Sequence, residues 1–148
     1  YGPDEQWIDL GRTSYEEGQR VADEIRSSVY RELGITASIG VSYSKIVAKL
    51  GSDYRKPNGT TVIRRDNLKG MVWPLPAKDL FFVGPATNKK LQKHGIITIG
   101  DIANAGSAML RSLLGKNGET IWEYANGLDT SLGVGKPSPI KSRILGAL

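Results

Sequence analysis

The sequence contains no cysteine, a single histidine (His94) and no apolar run of membrane-spanning length. Without cysteine there are no disulfides and no thiolate metal sites, which agrees with a reducing compartment. With no second histidine or cysteine beside it, His94 makes neither a metal site nor a catalytic triad. A membrane helix needs roughly 20 apolar residues, and the first residues do not resemble a signal peptide. We therefore expect a cytoplasmic protein with no membrane partner.

Composition is ordinary for a globular chain, but the charge is distributed unevenly. The 148 residues are 39% apolar and 24% charged, enough for one domain or two small ones. Residues 1–33 hold eight acids and four bases, whereas residues 45–93 hold eleven bases and three acids. An acidic region beside a basic one fits a metal-dependent enzyme acting on a polyanion. A solvated face with uneven charge explains the same numbers equally well.

The first half of the chain alternates strands and helices. Ser14 with Glu17 forms an S-x-x-E capping box that opens a helix, and Gly34 suits the position after its end. Apolar patterning and turn residues place the other elements. The predicted elements are a strand at 6–10, a helix from Ser14 to Leu33, a strand at 35–41, a helix at 44–54 and a strand at 60–63.

The composition changes after Arg65, and Trp73-Pro74-Leu75-Pro76 is typical of a linker. The region beyond it predicts helices only, near 78–82, 85–94, 99–104, 107–114 and 118–125. The tail at 131–142 is rich in glycine and proline and predicts an extended linker. The predicted fold is α+β, with a partial mixed βαβ sheet over 1–75, a small all-α domain over 76–130 and a linker over 131–148.

A basic helix follows the second predicted strand and ends in a cationic turn. The segment reads S-I-G-V-S-Y-S-K-I-V-A-K-L-G-S-D-Y-R-K-P-N-G over residues 38–59. Lys45 and Lys49 recur every four residues, so they share one helix face, toward a polyanion or toward solvent. Ser42 and Ser44 at the helix start suit phosphate contact or helix capping equally well.

Two further motifs carry chemistry. Asp4 and Glu5 precede the first strand, where two carboxylates can hold Mg²⁺, although such a pair is more often a solvated surface pair. The segment 80–91, L-F-F-V-G-P-A-T-N-K-K-L, resembles a helix-hairpin-helix pattern that offers backbone N–H groups to a DNA phosphate. A plain αα-hairpin is the alternative. Phe82 replaces the first glycine, and it would be strained if that position needs a positive φ. The predicted DNA contacts of this hairpin are Val83, Gly84, Ala86, Thr87, Lys89 and Lys90.

Taken together, these motifs resemble those of the Y-family translesion DNA polymerases, the DinB/UmuC group. The segment 38–59 is similar to the pattern T-x-G-V/I-S/A-x-N/S-K-x-x-A-K-x-A/G-S-D-x-x-K-P-N/D-G. Y-G-P-D-E-Q-W-I-D-L is similar to S-x-D-E-x-Y/F/W-L/I-D. The resemblance runs from Asp4 to about Ser142. It implies the latter part of the palm followed by the thumb, and we expect a fragment of a longer chain.

The resemblance also assigns roles to individual residues. It implies that Asp4 and Glu5 bind the catalytic metal, with two Mg²⁺ ions in the full-length enzyme, and that Lys56 reaches the triphosphate of the incoming nucleotide. Arg55 stands at a variable family position beside it. Ser42, Ser44 and Lys45 would face DNA. Asp9 matches a motif position too, but a structural role at a strand end explains it as well. The D-x-N/D-x-F-F/Y motif of the family is absent, so we expect the fragment alone to be inactive.

The implied function is template-directed DNA synthesis past damage. The implied partners are primer–template DNA, a deoxynucleoside triphosphate and, through regions outside this chain, a sliding clamp; the setting would be the SOS response to DNA damage. The alternative is a non-catalytic DNA-binding module that uses its helix-hairpin-helix as a clamp. A third interpretation, a basic protein–protein adaptor, predicts no salt-dependent DNA binding.

Overall fold

The computed structural model describes residues 5–128 and the backbone of residues 141–147. The chain divides into two units after Arg65, and the second unit is Asp66–Asp129. The predicted α+β class is confirmed. The strands are β1 (Glu5–Arg12), β2 (Ser38–Ser42), β3 (Thr60–Ile63) and β4 (Lys141–Ala147), and the helices are α1 (Tyr15–Leu33), α2 (Lys45–Tyr54), α3 (Leu68–Val72), α4 (Pro85–Lys93), α5 (Ile99–Ala105), α6 (Ser107–Leu114) and α7 (Lys116–Ala125), with a 3-10 helix at Ala77–Asp79.

The first unit is a four-stranded sheet in the order β1-β4-β2-β3. Strands β2 and β3 run parallel, with Val41 opposite Val62, and α2 makes the crossover between them. Strand β4 is antiparallel to both of its neighbours. The sheet is therefore mixed, as predicted.

Strand β2 separates the two large helices of this unit. Successive side chains of a strand point to opposite faces. Ile39 and Val41 pack with Ala22 of α1, whereas a Cβ on Gly40 would lie 1.9 Å from the carbonyl oxygen of Ala48 in α2. Helices α1 and α2 therefore cover opposite faces, and α2 lies on the sheet backbone itself because residue 40 has no side chain.

Strand β4 occupies residues 141–147, within the predicted linker over 131–148. The backbone of residues 141–147 pairs with β1 on one side and β2 on the other. Unpaired strand edges expose N–H and C=O groups, and an added strand satisfies both edges at once. The glycines and prolines that suggested a linker precede this strand, and residues 129–140 lie outside the described residues.

The regular elements of the second unit are helices joined by turns, and Pro76 and Thr98 form an isolated β-bridge. The core of this unit consists of side chains that are almost completely buried. Ser107–Leu114 is a helix as predicted, and α7 begins at Lys116, two residues earlier than predicted. The core side chains are Leu80, Leu91, Ile99, Ile102, Leu110 and Ile121.

The boundary between the units lies ten residues before the predicted one at 75/76. Residues 73–76 are built into the second unit by backbone hydrogen bonds. Gly100 donates to Trp73 O at 3.0 Å and Ile99 donates to Leu75 O at 2.9 Å, and the Trp73 indole donates to Ala125 O at 2.9 Å. The Trp-Pro-Leu-Pro segment resembles a linker in sequence, but these long-range contacts make it part of the helical core.

Candidate functional site

One face of α2 carries a chain of alternating charges that begins on β1. Lys49 Nζ lies 2.9 Å from Glu5 Oε1 and 3.9 Å from an oxygen of Asp53. Asp53 in turn pairs with Lys56, the ammonium of which lies 2.9 Å from Oδ1. The fold thus links Glu5, a predicted metal ligand, to Lys56, the predicted triphosphate contact.

The Glu5–Lys49 pair is the less exposed part of this chain of charges. The two side chains are 16% and 22% exposed, whereas Asp53 and Lys56 are close to half exposed. A half-buried carboxylate is costly to leave without a counter-charge, so Lys49 stabilises Glu5. Sequence reasoning missed Asp53, although its spacing of four from Lys49 and three from Lys56 could have indicated it.

Lys45 lies on the same helix but makes a different contact. Its ammonium sits over the Trp7 ring at 5.8 Å from the centroid, and its carbonyl accepts from the Trp7 indole at 3.1 Å. Lys45 therefore packs against β1, and its predicted contact with DNA stays a prediction.

The hydroxyls of Ser42 and Ser44 are used inside the unit. Ser42 is fully buried and donates to Ile63 O at 2.7 Å. Ser44 is the N-cap of α2 and accepts from Val47 N at 3.2 Å. Ser44 therefore caps α2, and both hydroxyls are engaged within the unit. The predicted contacts of Ser42 and Ser44 with DNA stay predictions.

The cationic turn after α2 is held by α1. Arg26 Nη2 donates to Asn58 O at 2.6 Å and to Asn58 Oδ1 at 3.0 Å. Gly59 O accepts from Ile39 N at 2.8 Å, which ties the same turn to β2. Arg55 is exposed at the C-cap of α2. Arg26 gave no signal in the sequence, because its contact spans 32 residues.

Tyr43 stands between Ser42 and Ser44 with its ring under Arg65. The guanidinium carbon lies 4.2 Å from the ring centroid. Burial raises the pKa of Tyr43 to about 12, and the Arg65 charge opposes that rise. The phenol is therefore neutral at physiological pH and is no candidate for a general base.

The described residues do not by themselves fit a magnesium site. No three side chains among Asp, Glu, His and Cys come together in residues 5–128. Glu5 is one carboxylate held by a lysine, whereas Mg²⁺ demands a near-octahedral set of oxygens. Asp4 lies outside the described residues. Asp9 has the structural role proposed for it: it accepts from Gly11 N at 2.9 Å beside an irregularity in β1.

In the second unit, the predicted hairpin lies between the 3-10 helix and α4. Gly84 is the N-cap of α4 and Pro85 its first residue. The first turn of a helix leaves N–H groups without partners inside the helix, and Ala86 and Thr87 stand in that turn. Lys89 and Lys90 are exposed. Val83 is buried, and its backbone N–H donates to Leu80 O at 3.0 Å.

Phe82 occupies the left-handed region with φ 72°. The position thus has the positive φ that glycine favours, and Phe82 bears the strain. Its ring stacks on Tyr124 with centroids 5.9 Å apart, and its carbonyl accepts from Asn117 Nδ2 at 3.4 Å. These contacts hold the turn in a conformation that phenylalanine alone disfavours.

The three tryptophans are hydrogen-bonded to the backbone of the unit in which they lie. Each is half-buried and donates its indole N–H to a backbone carbonyl of its own unit. The pairs are Trp7 with Lys45, Trp73 with Ala125 and Trp122 with Ala103. Across the part of the chain that the structure describes, no helix has the length and apolarity to cross a membrane.

The chain thus combines two units. The first is an α/β unit in which a carboxylate and lysines are linked along one helix. The second follows it in the chain and is a helical unit with exposed lysines. The family model described as impB/mucB/samB matches residues 1–53. DNA polymerase IV of Acetivibrio thermocellus is 47% identical over 133 residues, covering 88% of this chain and 33% of the relative. DNA polymerase IV 1 of Bacillus subtilis is 39% identical over 126 residues, covering 84% and 30%.

Solved structures agree with these relatives. The crystal structure of DinB from Sulfolobus solfataricus matches with a TM-score of 0.67 and 27% identity, covering 77% of this chain and 34% of that one. A Y-family DNA polymerase chimera, Dbh-Dpo4(243-245)-Dbh, matches with a TM-score of 0.68. The chain belongs to the DinB-type Y-family of DNA polymerases, and it spans about a third of the length of the curated relatives it matches.

Proposed function

We propose that the chain is the palm–thumb segment of a low-fidelity DNA polymerase that extends primers past template damage. The observation that carries the proposal is the charged face of α2, which joins Glu5 to Lys56 through Lys49 and Asp53. That face supplies carboxylates and cations together, as phosphoryl-transfer sites require. The relatives named DNA polymerase IV support it.

The reaction would be attack of the primer 3′-hydroxyl oxygen on the α-phosphorus of a deoxynucleoside triphosphate. The new O–P bond forms as the bond to the bridging oxygen breaks, the 3′-hydroxyl proton passes to solvent, and diphosphate leaves. Lys56 would bind the triphosphate and offset charge on the leaving diphosphate without losing its proton. Its ammonium is paired with the half-exposed carboxylate of Asp53, so nucleotide binding would exchange one anion for another. Arg55, exposed beside Lys56, would add positive charge to the triphosphate site.

The cofactor we propose is Mg²⁺, two ions in the full-length enzyme, with Asp4 and Glu5 as ligands. The further oxygens would come from a carboxylate outside this chain. For this reason we expect the 148-residue chain alone to lack polymerase activity. Templated nucleotide incorporation by the purified chain would contradict that expectation.

The second unit would bind the duplex backbone. We propose that Gly84, Ala86 and Thr87 present backbone N–H groups to a phosphate, since they stand at the start of α4. Lys89 and Lys90, exposed one turn later, would add sequence-independent attraction. A substitution that removes one of these lysines is expected to reduce the slope of log affinity against log salt concentration by about one.

The remaining parts of the proposal concern the whole protein. Its partners would be primer–template DNA and deoxynucleoside triphosphates, and a sliding clamp through regions outside this chain. We propose a cytoplasmic location and a role in the SOS response to DNA damage. These follow from the family.

Primer extension by the full-length parent, on damaged and undamaged templates with Mg²⁺, tests the proposal. Asp4→Asn and Glu5→Gln are expected to abolish extension while DNA affinity is retained. Glu119→Gln is a matched control, because Glu119 is an exposed acid of the second unit that pairs with Arg111.

The outcomes separate the candidate functions. Loss of extension in the Asp4 and Glu5 variants alone supports a polymerase. A parent that binds DNA but never extends a primer would leave the non-catalytic helix-hairpin-helix clamp as the better account. Absence of salt-dependent DNA binding would instead favour the protein–protein adaptor.

A further inference from the structure

We propose that Arg26 is a positioning residue for nucleotide binding: it fixes the turn that carries Lys56. The inference rests on the proposed function, since Lys56 is the proposed triphosphate contact. Arg26 lies in α1, far in sequence from the charged face of α2, and no motif singles it out.

Both terminal nitrogens of the Arg26 guanidinium donate hydrogen bonds to the turn after α2 or to the residue directly following it. Nη2 donates to the carbonyl and to the side-chain oxygen of Asn58, at 2.6 and 3.0 Å. Nη1 donates to Thr60 Oγ1 at 3.2 Å, directly after the turn. The fork therefore spans Asn58–Thr60, the residues that immediately follow Lys56-Pro57.

Asp23 completes the arrangement from the same helix. Its Oδ1 lies 3.2 Å from Arg26 Nη1 and accepts from Thr60 Oγ1 at 2.7 Å. Arg26 is only 21% exposed, and its Nε is buried without a hydrogen-bond partner. The contacts of the two terminal nitrogens, to Asn58, Thr60 and Asp23, therefore hold this side chain in place.

The turn is tight and places one non-glycine residue in the left-handed region. Asn58 has φ 60°, a region that non-glycine residues occupy at a cost. A Cβ on Gly59 would lie 2.4 Å from Arg55 O, so the chain folds tightly back on the end of α2. Hydrogen bonds to charged donors are about twice as strong as neutral ones, and Arg26 supplies two of them to Asn58 alone.

Fixing Asn58 places Lys56, two residues earlier. The Lys56 ammonium reaches Asp53 at 2.9 Å from this backbone position. An ammonium aimed at a triphosphate contributes most when its backbone does not have to be ordered on binding. Loss of the Arg26 fork would free the turn and weaken nucleotide binding, although Arg26 itself contacts neither nucleotide nor DNA in this proposal.

The test compares Arg26→Gln, Arg26→Lys and Arg20→Gln in the full-length parent. Arg20 lies on the same helix and pairs with exposed Glu17 and Glu24, so it controls for lost charge. Arg26→Gln is expected to raise the KM for nucleotide roughly tenfold or more, with kcat and DNA affinity little changed. Arg26→Lys keeps the positive charge but cannot make the paired hydrogen bonds of the guanidinium, so its KM for nucleotide is expected to lie between those of the unmodified parent and Arg26→Gln.

Hydrogen exchange of the amides at 55–60 gives a readout that is independent of activity. Arg26→Gln is expected to speed exchange there and not in β2 or α2. An Arg26→Gln variant that matches Arg20→Gln in KM and exchange overturns the inference. So does one that loses kcat, DNA affinity and thermal stability together, since that is a general folding defect.

Failure of the proposed function looks different. A parent that neither extends a primer nor binds a nucleotide refutes the polymerase and, with it, the nucleotide role of Arg26. Nucleotide binding without extension, weakened about tenfold by Arg26→Gln, supports the positioning role while refuting the polymerase.

Discussion

The two units of this chain handle charge in opposite ways. In the first unit the predicted chemistry-bearing groups are paired: Glu5 with Lys49, and Lys56 with Asp53. In the second unit Lys89 and Lys90 lie exposed along α4. Arg111 and Glu119 do pair, but at 69% and 40% exposure.

This difference matches two kinds of recognition. Paired, half-buried charges have fixed positions and can orient one small ligand. Exposed lysines on a helix supply a diffuse field that suits a polymer backbone of repeated phosphates. Under the proposed function, the first unit would orient a nucleotide and the second would attract a nucleic-acid backbone independently of its sequence.

The largest expected effects come from glycines that let elements touch, one in each unit. A Cβ on Gly40 would lie 1.9 Å from Ala48 O, and one on Gly118 would lie 2.0 Å from Leu110 O. Gly40→Ala and Gly118→Ala are each expected to destabilise their unit by about 3 kcal/mol. Thermal unfolding measures this. In the parent, we expect Gly40→Ala to impair nucleotide binding and Gly118→Ala to impair DNA affinity.

Gly70→Ala is the matched control. Gly70 lies in α3, and a Cβ added to it would have no neighbouring atom within 4 Å. Alanine is therefore expected to be neutral there or stabilising by up to about 1 kcal/mol. Equal stability of Gly40→Ala and Gly70→Ala would show that α2 does not rest on the β2 backbone.

Double-mutant cycles compare the two kinds of ion pair directly. For Lys49→Met with Glu5→Gln we expect a coupling of about 1 kcal/mol or more, because both groups are mostly shielded from water. For Arg111→Met with Glu119→Gln we expect less than about 0.5 kcal/mol, because water screens an exposed pair. Urea unfolding of the four proteins in each cycle gives the two coupling free energies. Equal values would show that the Glu5–Lys49 and Arg111–Glu119 pairs do not differ in strength.

Phe82 tests whether strain is stored in the hairpin. Phe82→Ala and Phe82→Gly both remove the stack on Tyr124, which we expect to cost about 1 kcal/mol. Only glycine also relieves the positive φ. The glycine variant is therefore expected to be more stable than the alanine variant by about 1 kcal/mol. Identical melting temperatures for the two variants would argue against strain at this position.

The smallest effect concerns Asp101 and pH. Hydrogen bonds from the backbone N–H groups of Ile97 and Thr98 lower the pKa of Asp101. Because the pKa is lowered in the folded state, the ionised carboxylate stabilises the fold at pH above the ordinary carboxyl pKa of about 4. This stabilisation is lost as the pH falls through the folded-state pKa. Asp101→Asn should lower the melting temperature at neutral pH. The difference in melting temperature between the variant and the unmodified chain should narrow below about pH 4. A difference independent of pH would contradict this account.

Much of the fold could be predicted because its determinants are local. Ser14 caps α1 and Gly34 ends it with φ 68°, as the capping pattern indicated. Pro85 begins α4 and Gly95 follows its end. Thr60–Ile63 is a strand with the predicted bounds. Each of these depends on a few neighbouring residues.

The candidate site was predictable only in part. Lys56 and Glu5 came from motifs, but the path between them depends on Lys49 reaching β1 across 44 residues of sequence. The sequence left Ser44 open between a helix cap and a phosphate contact, and the structure shows that it is buried and caps α2. Local sequence patterns identify candidate residues, whereas burial and long-range pairing determine which contacts each side chain makes.

The sequence by itself determined the order of the elements in the first half of the chain, the ends of α1 and the family resemblance, since these depend on short motifs and periodicity. Only the tertiary structure decided that residues 141–147 complete the sheet between β1 and β2, and that Arg26 holds the turn after Lys56. Both involve partners distant along the chain, and no local pattern encodes which distant backbone groups will meet.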